Sequence, residues 1–300
     1  MKSLLMDSVG PSEQTVSPLS VATEEMSVVF ENEKTTVYRI DWRTVLKVPS
    51  DCGRFETEVA NLQKYAYDAV RRHNQVVSFV PEIDPAGFQQ FGCGIIMPDH
   101  GEDLYELISR GLEDHAKQAI TEQVIAIWKN KLSGKVIHGD IKPDNFMWNG
   151  TTLTLVDWDT AVDINDEDGM EAIEHLGTKN FWDPCKFKGS SDLKTCLVNS
   201  DKFGLAATIF MVNAPLHLIN RFVQYGRFNE SFRTYIQGWV QQGILEDANK
   251  VTNMIDAAEK ASEEAAAAQD DAAAAAAADD DLFVGGSRYR YILLRNRTNE

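Results

Sequence analysis

The sequence is short of cysteine and of long hydrophobic runs. Its 300 residues include only four cysteines, which form no C-x-x-C pair and have no histidine at zinc-ligand spacing. This pattern argues against a zinc site and fits a reducing cytosolic or nuclear compartment. No apolar run approaches the roughly 18 residues of a membrane span. At the N-terminus only three consecutive residues are apolar, which is too few for a signal peptide.

Positive charge is also scarce. Lys and Arg total 29 against 46 Asp and Glu, which gives a net charge of -17. Such a surface repels phosphate backbones and anionic lipid. We therefore expect no direct nucleic-acid partner and no membrane partner, whereas basic proteins or peptides remain compatible. A chain of this length and ordinary hydrophobic content can bury a sizeable core without disulfides or metal.

The order of the predicted elements indicates an α+β chain of two lobes. Residues 1–22 lack periodicity and are interpreted as a flexible arm. Three short β-branched segments at 27–30, 36–40 and 44–48 predict strands, residues 55–73 predict a helix, and 76–80 and 93–97 predict further strands. The remainder is mostly helical, with helices expected over 104–108, 116–132, 200–213, 216–225 and 229–242. We expect an N-lobe over 23–97 and a C-lobe over 98–255.

The end of the sequence differs in composition. Residues 256–281 hold nine acidic residues, one Lys and seven consecutive alanines. Ala and Glu favour helix, but the segment has no apolar stripe, so it is interpreted as an exposed helix or an acidic linker. Residues 282–300 return to aromatic and basic residues and are interpreted as a tail, either loose or docked back as a strand.

One polar loop between two short predicted strands (135–137 and 153–156) carries the chemistry. It reads His138-Gly-Asp-Ile-Lys-Pro-Asp-Asn145, and Val156-Asp-Trp-Asp159 follows. Phosphoryl transfer from ATP needs a carboxylate for the acceptor hydroxyl, a cation for the transferring group and oxygen ligands for Mg²⁺. We therefore predict Asp140 as the base, Lys142 as the cation, and Asn145 and Asp157 as the metal ligands.

The loop resembles that of the eukaryotic protein kinase superfamily. The H-x-D-x-K-P-x-N pattern is followed, twelve residues after Asn145, by the aspartate expected to bind metal. Residues 177–184 resemble the end of an activation segment, in which Thr178 would contact the catalytic Asp and Lys. Residues 201–204 resemble the Asp-x-x-Gly that opens the central helix and braces the catalytic loop. The implied structure is the two-lobe protein kinase fold.

The same resemblance implies the nucleotide-binding residues. Lys47 would grip the α- and β-phosphates of ATP, and a glutamate at the start of the next helix would pair with it. The resemblance favours Glu56 for this role, whereas spacing along the helix favours Glu58. Met97 would lie in the hinge behind the adenine. Asp103 would either hydrogen-bond the ribose or cap the helix that begins at Leu104.

A narrower resemblance is to the Bub-type spindle-checkpoint kinases. It is carried by residues 138–146 and 203–209, by Val37-Tyr38 before the Lys strand, and by the short interval between Lys47 and Glu56. It covers roughly residues 26–250. It implies a serine/threonine kinase that uses ATP and Mg²⁺, acts on checkpoint or chromatin proteins, and resides in the nucleus at kinetochores or in the cytoplasm.

Several positions depart from the kinase pattern. The place of the glycine-rich loop, residues 30–36, has no glycine and contains Glu31 and Glu33, which should weaken ATP binding. Asp159 replaces the glycine of the Asp-Phe-Gly segment, and Cys185 replaces a glutamate whose ion pair is therefore lost. Gly139 replaces the arginine that often binds a phosphorylated activation loop, so we expect the catalytic loop to be ready without that switch.

These departures leave two alternatives open. The chain could be a pseudokinase that acts as a binding or scaffold module, which the glycine-free loop and Asp159 favour. It could instead be a small-molecule kinase of similar fold, since such enzymes also use an H-G-D-x-x-x-x-N loop.

Overall fold

The computed structural model describes residues 27–31, 33, 35–50, 52–65, 75–77, 94–224 and 227–260. The chain divides into two compact units: residues 1–55 group with 72–99, and residues 56–71 group with 100–300. The predicted arm (1–22) and tail (282–300) lie outside the described residues, as does most of the predicted linker (256–281).

The first unit is an antiparallel sheet made of the strands that the β-branched segments predicted. The strands are β1 Ser27–Glu31, β2 Thr35–Asp41, β3 Thr44–Pro49, β4 Gln75–Val77 and β5 Gly94–Pro98. Their order in the sheet is β1-β2-β3-β5-β4. The central strand β3 buries Val45, Leu46 and Val48, and its two neighbours β2 and β5 pair with it on either side.

Helix α1, Cys52–Tyr65, follows β3 in sequence, and from Glu56 onward it groups with the second unit. The predicted helix over 55–73 is thus confirmed as far as Tyr65, and residues 66–74 are not among those described. Leu62 and Glu58 are buried on this helix.

The second unit is mainly helical, with short strands around the polar loop. Its helices are α2 Leu104–Arg110, α3 Asp114–Ile127, α4 Glu167–Ile173, α5 Pro184–Lys188, α6 Leu193–Asn213, α7 Leu216–Arg221 and α8 Glu230–Gln241. Its strands are β6 Glu102–Asp103, β7 Val136–Ile137, β8 Phe146–Trp148, β9 Leu153–Leu155, β10 Val162–Asp163, β11 Val223–Gln224 and β12 Arg227–Phe228. A small β sheet with a mostly helical part after it confirms the α+β kinase-like fold class.

Helix α6 forms the centre of the second unit. It begins at Leu193 because the carboxylate of Asp192 accepts a hydrogen bond from the Thr195 amide at 3.0 Å. Its buried face packs Phe203 and Phe210 against an aromatic ring of α8. The prediction that the helix opens at Asp201 is wrong, since Asp201 lies well inside it. The N-cap at Asp192 adds two further turns.

The end of the described chain extends the domain beyond the predicted boundary at 255. Residues 250–260 are helical, and Val251, Met254, Ile255 and Ala258 are buried. These positions recur at helical spacing and form one apolar face. The first residues of the predicted linker therefore belong to a packed helix.

The structure joins Cys185 of α5 to Cys196 of α6 in a disulfide. The sequence analysis predicted no such pairing. No helix among the described residues is long and apolar enough to cross a membrane.

Candidate active site

The polar loop brings its predicted catalytic residues into one hydrogen-bonded group. Lys142 Nζ donates to Asp140 Oδ2 at 2.9 Å and to Thr178 Oγ1 at 3.0 Å. The Thr178 amide donates to Asp140 Oδ1 at 2.7 Å. Asn145 Nδ2 donates to the Asp140 backbone carbonyl at 2.7 Å and to its carboxylate at 3.3 Å. The predicted contact of Thr178 with both Asp140 and Lys142 is therefore present.

These contacts fix the charge of the central pair. Burial by itself would raise the pKa of Asp140, but the Lys142 ammonium and the Thr178 hydrogen bonds hold that pKa below its ordinary value. Burial would likewise lower the pKa of Lys142, but Asp140 outweighs it and raises that pKa. Asp140 is therefore ionised and Lys142 protonated at neutral pH.

Asp201 of helix α6 anchors the start of the loop. Its carboxylate accepts hydrogen bonds from the backbone amides of His138, at 2.6 Å, and Gly139, at 3.0 Å. The bracing role predicted for Asp201 is thus confirmed, although its place in the helix is not. Gly139 has φ +84°, and a Cβ there would lie 3.1 Å from the Thr160 carbonyl oxygen. This backbone suits glycine and would strain the arginine that many kinases carry at this position.

Gly177 allows the following segment to approach the loop. Its φ is +91°, and a Cβ at this position would collide with the Gly139 carbonyl. The close approach is what lets the next amide, that of Thr178, reach Asp140. The glycine in the Gly177-Thr178 motif therefore has a packing reason in this chain.

Asp157 begins a tight turn at the predicted metal position. It has φ 65° and is the one residue other than glycine with a positive φ in the described part of the chain. Such strain persists where surrounding contacts over-determine it. Here the turn Trp158–Thr160 is held by Asn61 of α1, whose Nδ2 donates to the carbonyls of Trp158 at 2.8 Å and Ala161 at 3.0 Å.

The donor set suits magnesium. Asn145 contacts Asp140 through its amide nitrogen, so its carbonyl oxygen is the atom that could bind a cation. Asp157 supplies a carboxylate, and hard oxygen ligands of this kind, completed by phosphate oxygens and water, are what Mg²⁺ prefers. Among the residues that the structure describes, no group of three or more His, Cys, Asp or Glu is placed to hold a metal by itself.

The remaining predicted residues occupy separate places. Lys47 lies half-buried in β3, paired with Val37 and Ile95, and Met97 lies in β5 opposite Val45. Their nucleotide-binding roles stay predictions.

Of the two candidate glutamates, Glu58 is 6% exposed, and the side chain of Glu56 is outside the described set. Asp103 caps α2, with its Oδ1 accepting from the Glu106 amide at 2.9 Å. The capping alternative is therefore confirmed for Asp103, while its contact with a ribose stays a prediction.

Sequence reasoning missed Asn61 and the cysteine pair. Asn61 lies 97 residues before Trp158, so no local motif links them. An asparagine on the amphipathic α1, about one turn before the helix end, was the only available signal. The cysteine pair had none, because Cys185 and Cys196 are separated by 11 residues with no recognised motif.

Two comparisons with known proteins agree with this geometry. Residues 57–164 match the model of the phosphotransferase enzyme family (APH). A stretch of 116 residues is 30% identical to the mitotic checkpoint serine/threonine-protein kinase bub-1 of Caenorhabditis elegans. That match covers 33% of this chain and 11% of the bub-1 chain.

The fold is kinase-like, and the two partial matches show similarity to members of the kinase-like superfamily. They support a kinase-like phosphotransfer function. The family match spans most of helix α1, the catalytic loop and the turn at Asp157, which are the elements that position the site.

Proposed function

We propose that the protein is an ATP-dependent serine/threonine kinase of the Bub type. The observation that carries the proposal is the ionised Asp140 carboxylate, held by Lys142 and by the Thr178 amide. An ionised, oriented carboxylate beside a fixed ammonium is the arrangement that phosphoryl transfer to a hydroxyl requires. The identity with bub-1 supports the narrower assignment. Checkpoint or chromatin proteins as substrates, and a nuclear or kinetochore location, belong to the same proposal.

Each residue then has a defined task. Asp140 accepts a hydrogen bond from the acceptor hydroxyl and takes its proton as the hydroxyl oxygen bonds to the γ-phosphorus, while the bond from that phosphorus to the β–γ bridging oxygen breaks and ADP leaves. Lys142 lies within reach of both Asp140 and Thr178 and neutralises charge on the transferring group. Asn145 and Asp157 would hold Mg²⁺, which neutralises charge on the phosphates when bound. Lys47 and its glutamate partner, Glu56 or Glu58, would position the nucleotide.

Two alternatives retain support. The absence of glycine from the sequence between β1 and β2 and the presence of Asp159 favour a scaffold that binds partners without catalysis. The match to the phosphotransferase enzyme family favours a kinase with a small-molecule acceptor. Lys142, Gly177 and the Asp201 brace favour the protein kinase, because the resemblance to protein kinases includes all three.

The test combines nucleotide binding with phosphate transfer. The purified chain is heated with and without Mg-ATP, and transfer of the γ-phosphate is then measured on casein, histones and a panel of hydroxyl-bearing small molecules. We expect Mg-ATP to raise the melting temperature and the protein acceptors to be labelled. Asp140→Asn should lower transfer at least about 100-fold and keep the ATP-linked stabilisation.

Asp168→Asn is the matched control, since Asp168 is exposed on α4. It should leave both readouts unchanged. Full activity in Asp140→Asn would contradict the role of Asp140. Absence of both stabilisation and transfer in the unmodified chain would favour the scaffold, and labelling confined to small molecules would favour the small-molecule kinase.

A further inference from the structure

Helix α5 carries a buried lysine directly after the segment that contacts Asp140. Lys186 is 7% exposed, whereas Lys188 on the same short helix is exposed. Lysine is almost never buried to this extent unless it is paired. None of the functions assigned above uses this side chain.

The contacts of Lys186 go to one segment, residues 176–182. Its Nζ donates to the Leu176 carbonyl at 2.8 Å. The same ammonium lies 4.4 Å from the ring centroid of Trp182, within the range of a cation–π interaction. Leu176 and Trp182 stand at the two ends of the segment, so one cation ties both ends to α5.

That segment holds the catalytic carboxylate. Between its ends lies Thr178, whose amide donates to Asp140 Oδ1 at 2.7 Å and whose hydroxyl accepts from Lys142 at 3.0 Å. Movement of Leu176 would move Gly177 and Thr178 with it, because they are consecutive in the chain. The orientation of Asp140 therefore depends on where residues 176–182 are held.

Holding the segment in this way costs free energy. No carboxylate forms an ion pair with Lys186 within the described ranges, and a buried cation without a close counter-ion is unfavourable. Burial lowers the pKa of Lys186 to about 8, with Asp201, Asp140 and Glu174 opposing the shift. The stability of the fold therefore does not explain why a cationic side chain is buried at position 186.

We propose that Lys186 is a positioning residue for Asp140: its ammonium fixes residues 176–182 so that the Thr178 amide can orient the carboxylate. This rests on the proposed phosphotransfer function. In many kinases the glutamate at the position of Cys185 forms an ion pair that braces this segment. Lys186 would brace the segment here instead, from a buried position in the domain.

The first test compares three variants in the transfer assay. Lys186→Met keeps the apolar stem and removes the charge, Lys186→Arg keeps the charge, and Lys188→Met is the control at an exposed position of α5. We expect Lys186→Met to lower kcat at least tenfold with KM for ATP changed less than twofold. Lys186→Arg should retain most of kcat, and Lys188→Met should match the unmodified chain.

The melting temperature distinguishes positioning from an ordinary structural role, because loss of a residue that stabilises the fold would lower it. Because Lys186→Met removes a buried charge, its melting temperature at pH 7 should equal or exceed that of the unmodified chain. Lower kcat together with undiminished stability supports positioning. Unchanged kcat in folded Lys186→Met, or parallel losses of kcat and melting temperature, overturns the proposal.

The pH profile gives a second route, which stands even if Lys186→Met does not fold. The charged groups facing Lys186 are Asp201, Asp140 and Glu174, with Lys179 lying 5.9 Å from the Trp182 ring centroid. Because burial lowers the pKa of Lys186 to about 8, loss of its proton should lower kcat on the alkaline side. Lys186→Arg should keep kcat level to about pH 10; an alkaline limb identical in both proteins overturns the proposal.

Hydrogen exchange separates this proposal from the proposed function. Backbone exchange over residues 176–182 can be followed by mass spectrometry whether or not the chain transfers phosphate. We expect at least tenfold faster exchange in Lys186→Met than in Lys188→Met. If the unmodified chain transfers no phosphate, the proposed function fails and the exchange still decides whether Lys186 holds the segment; equal exchange in the two variants overturns that role.

Discussion

His138, the first residue of the polar loop, has no exposed surface. Its ring packs against Trp158 and its amide donates to Asp201 of α6. Its Nδ1 accepts from the Asp140 amide at 3.4 Å, so the ring proton is on Nε2, which donates to the Val156 carbonyl at 3.1 Å. Both ring nitrogens are therefore satisfied in the neutral form. Burial lowers the pKa of His138 to about 4 from an ordinary 6.5.

This shift predicts an acid sensitivity with a defined sign. Below pH 6.5 the unfolded chain takes up a proton at His138 that the folded chain refuses until about pH 4, so stability falls as pH falls through that window. Asp201 acts in the opposite direction, because burial raises its pKa to about 7. The contribution of His138 is therefore obtained as the difference in the free energy of unfolding between the unmodified chain and His138→Gln.

We expect this difference in the free energy of unfolding to shrink by about 2 kcal/mol between pH 7 and pH 5, since one pKa unit corresponds to about 1.4 kcal/mol. Urea denaturation at both pH values provides the measurement. His115, whose side chain is 80% exposed, supplies the control His115→Gln, which should show no such change. A pH-independent difference for His138→Gln would mean that the buried ring is not neutral.

At the scale of elements, two consecutive helices depend on different kinds of anchor. Helix α6 begins where the Asp192 side chain caps it. Helix α5 has only five residues, too few to be stable alone. It is held instead by the disulfide that joins Cys185 to Cys196 of α6.

The disulfide predicts a response to reducing agents. Closing the loop between positions separated by 11 residues should stabilise the folded chain by about 3 kcal/mol through the unfolded state. Dithiothreitol should therefore lower the free energy of unfolding by about this amount. In the double variant Cys185→Ser/Cys196→Ser, dithiothreitol should lower the free energy of unfolding by about this amount less than in the unmodified chain. An equal decrease in both proteins would exclude a contribution from this bond.

At the scale of the whole molecule, the structure bears on how activity is controlled. In many kinases an arginine next to the catalytic aspartate binds a phosphorylated activation loop. Here that position is Gly139, where the positive φ and a Cβ position 3.1 Å from the Thr160 carbonyl oxygen would strain any other residue. The contacts of Thr178 with Asp140 and Lys142 are already formed without any phosphate group.

We therefore expect the chain to need no phosphorylation between Asp157 and Thr178. After exhaustive phosphatase treatment, confirmed by mass spectrometry, it should keep at least half of its transfer activity. A buffer-treated sample of the same preparation is the control. Loss of activity on dephosphorylation, restored by phosphate at a site within that segment, would show that the loop is switched after all.

Local sequence patterns predicted many of the secondary-structure elements and the loop. The three N-terminal strands, helix α8 and the loop residues Asp140, Lys142 and Asn145 all lie where the sequence predicted. Strands follow from β-branched alternation and the loop from a dense motif, and both depend on neighbours in sequence. Helix α6 starts before the predicted residue 200 because the Asp192 side chain caps it upstream of the Asp-x-x-Gly motif.

The fold class and the polar residue types of the loop follow from the sequence alone, because hydrophobic period and residue type are properties of short segments. Three contacts became visible only in the folded chain: Asn61 with the Asp157 turn, Cys185 with Cys196, and Lys186 with Trp182. These contacts join segments that have no shared pattern. Burial and its effect on charge arise only when such segments pack together.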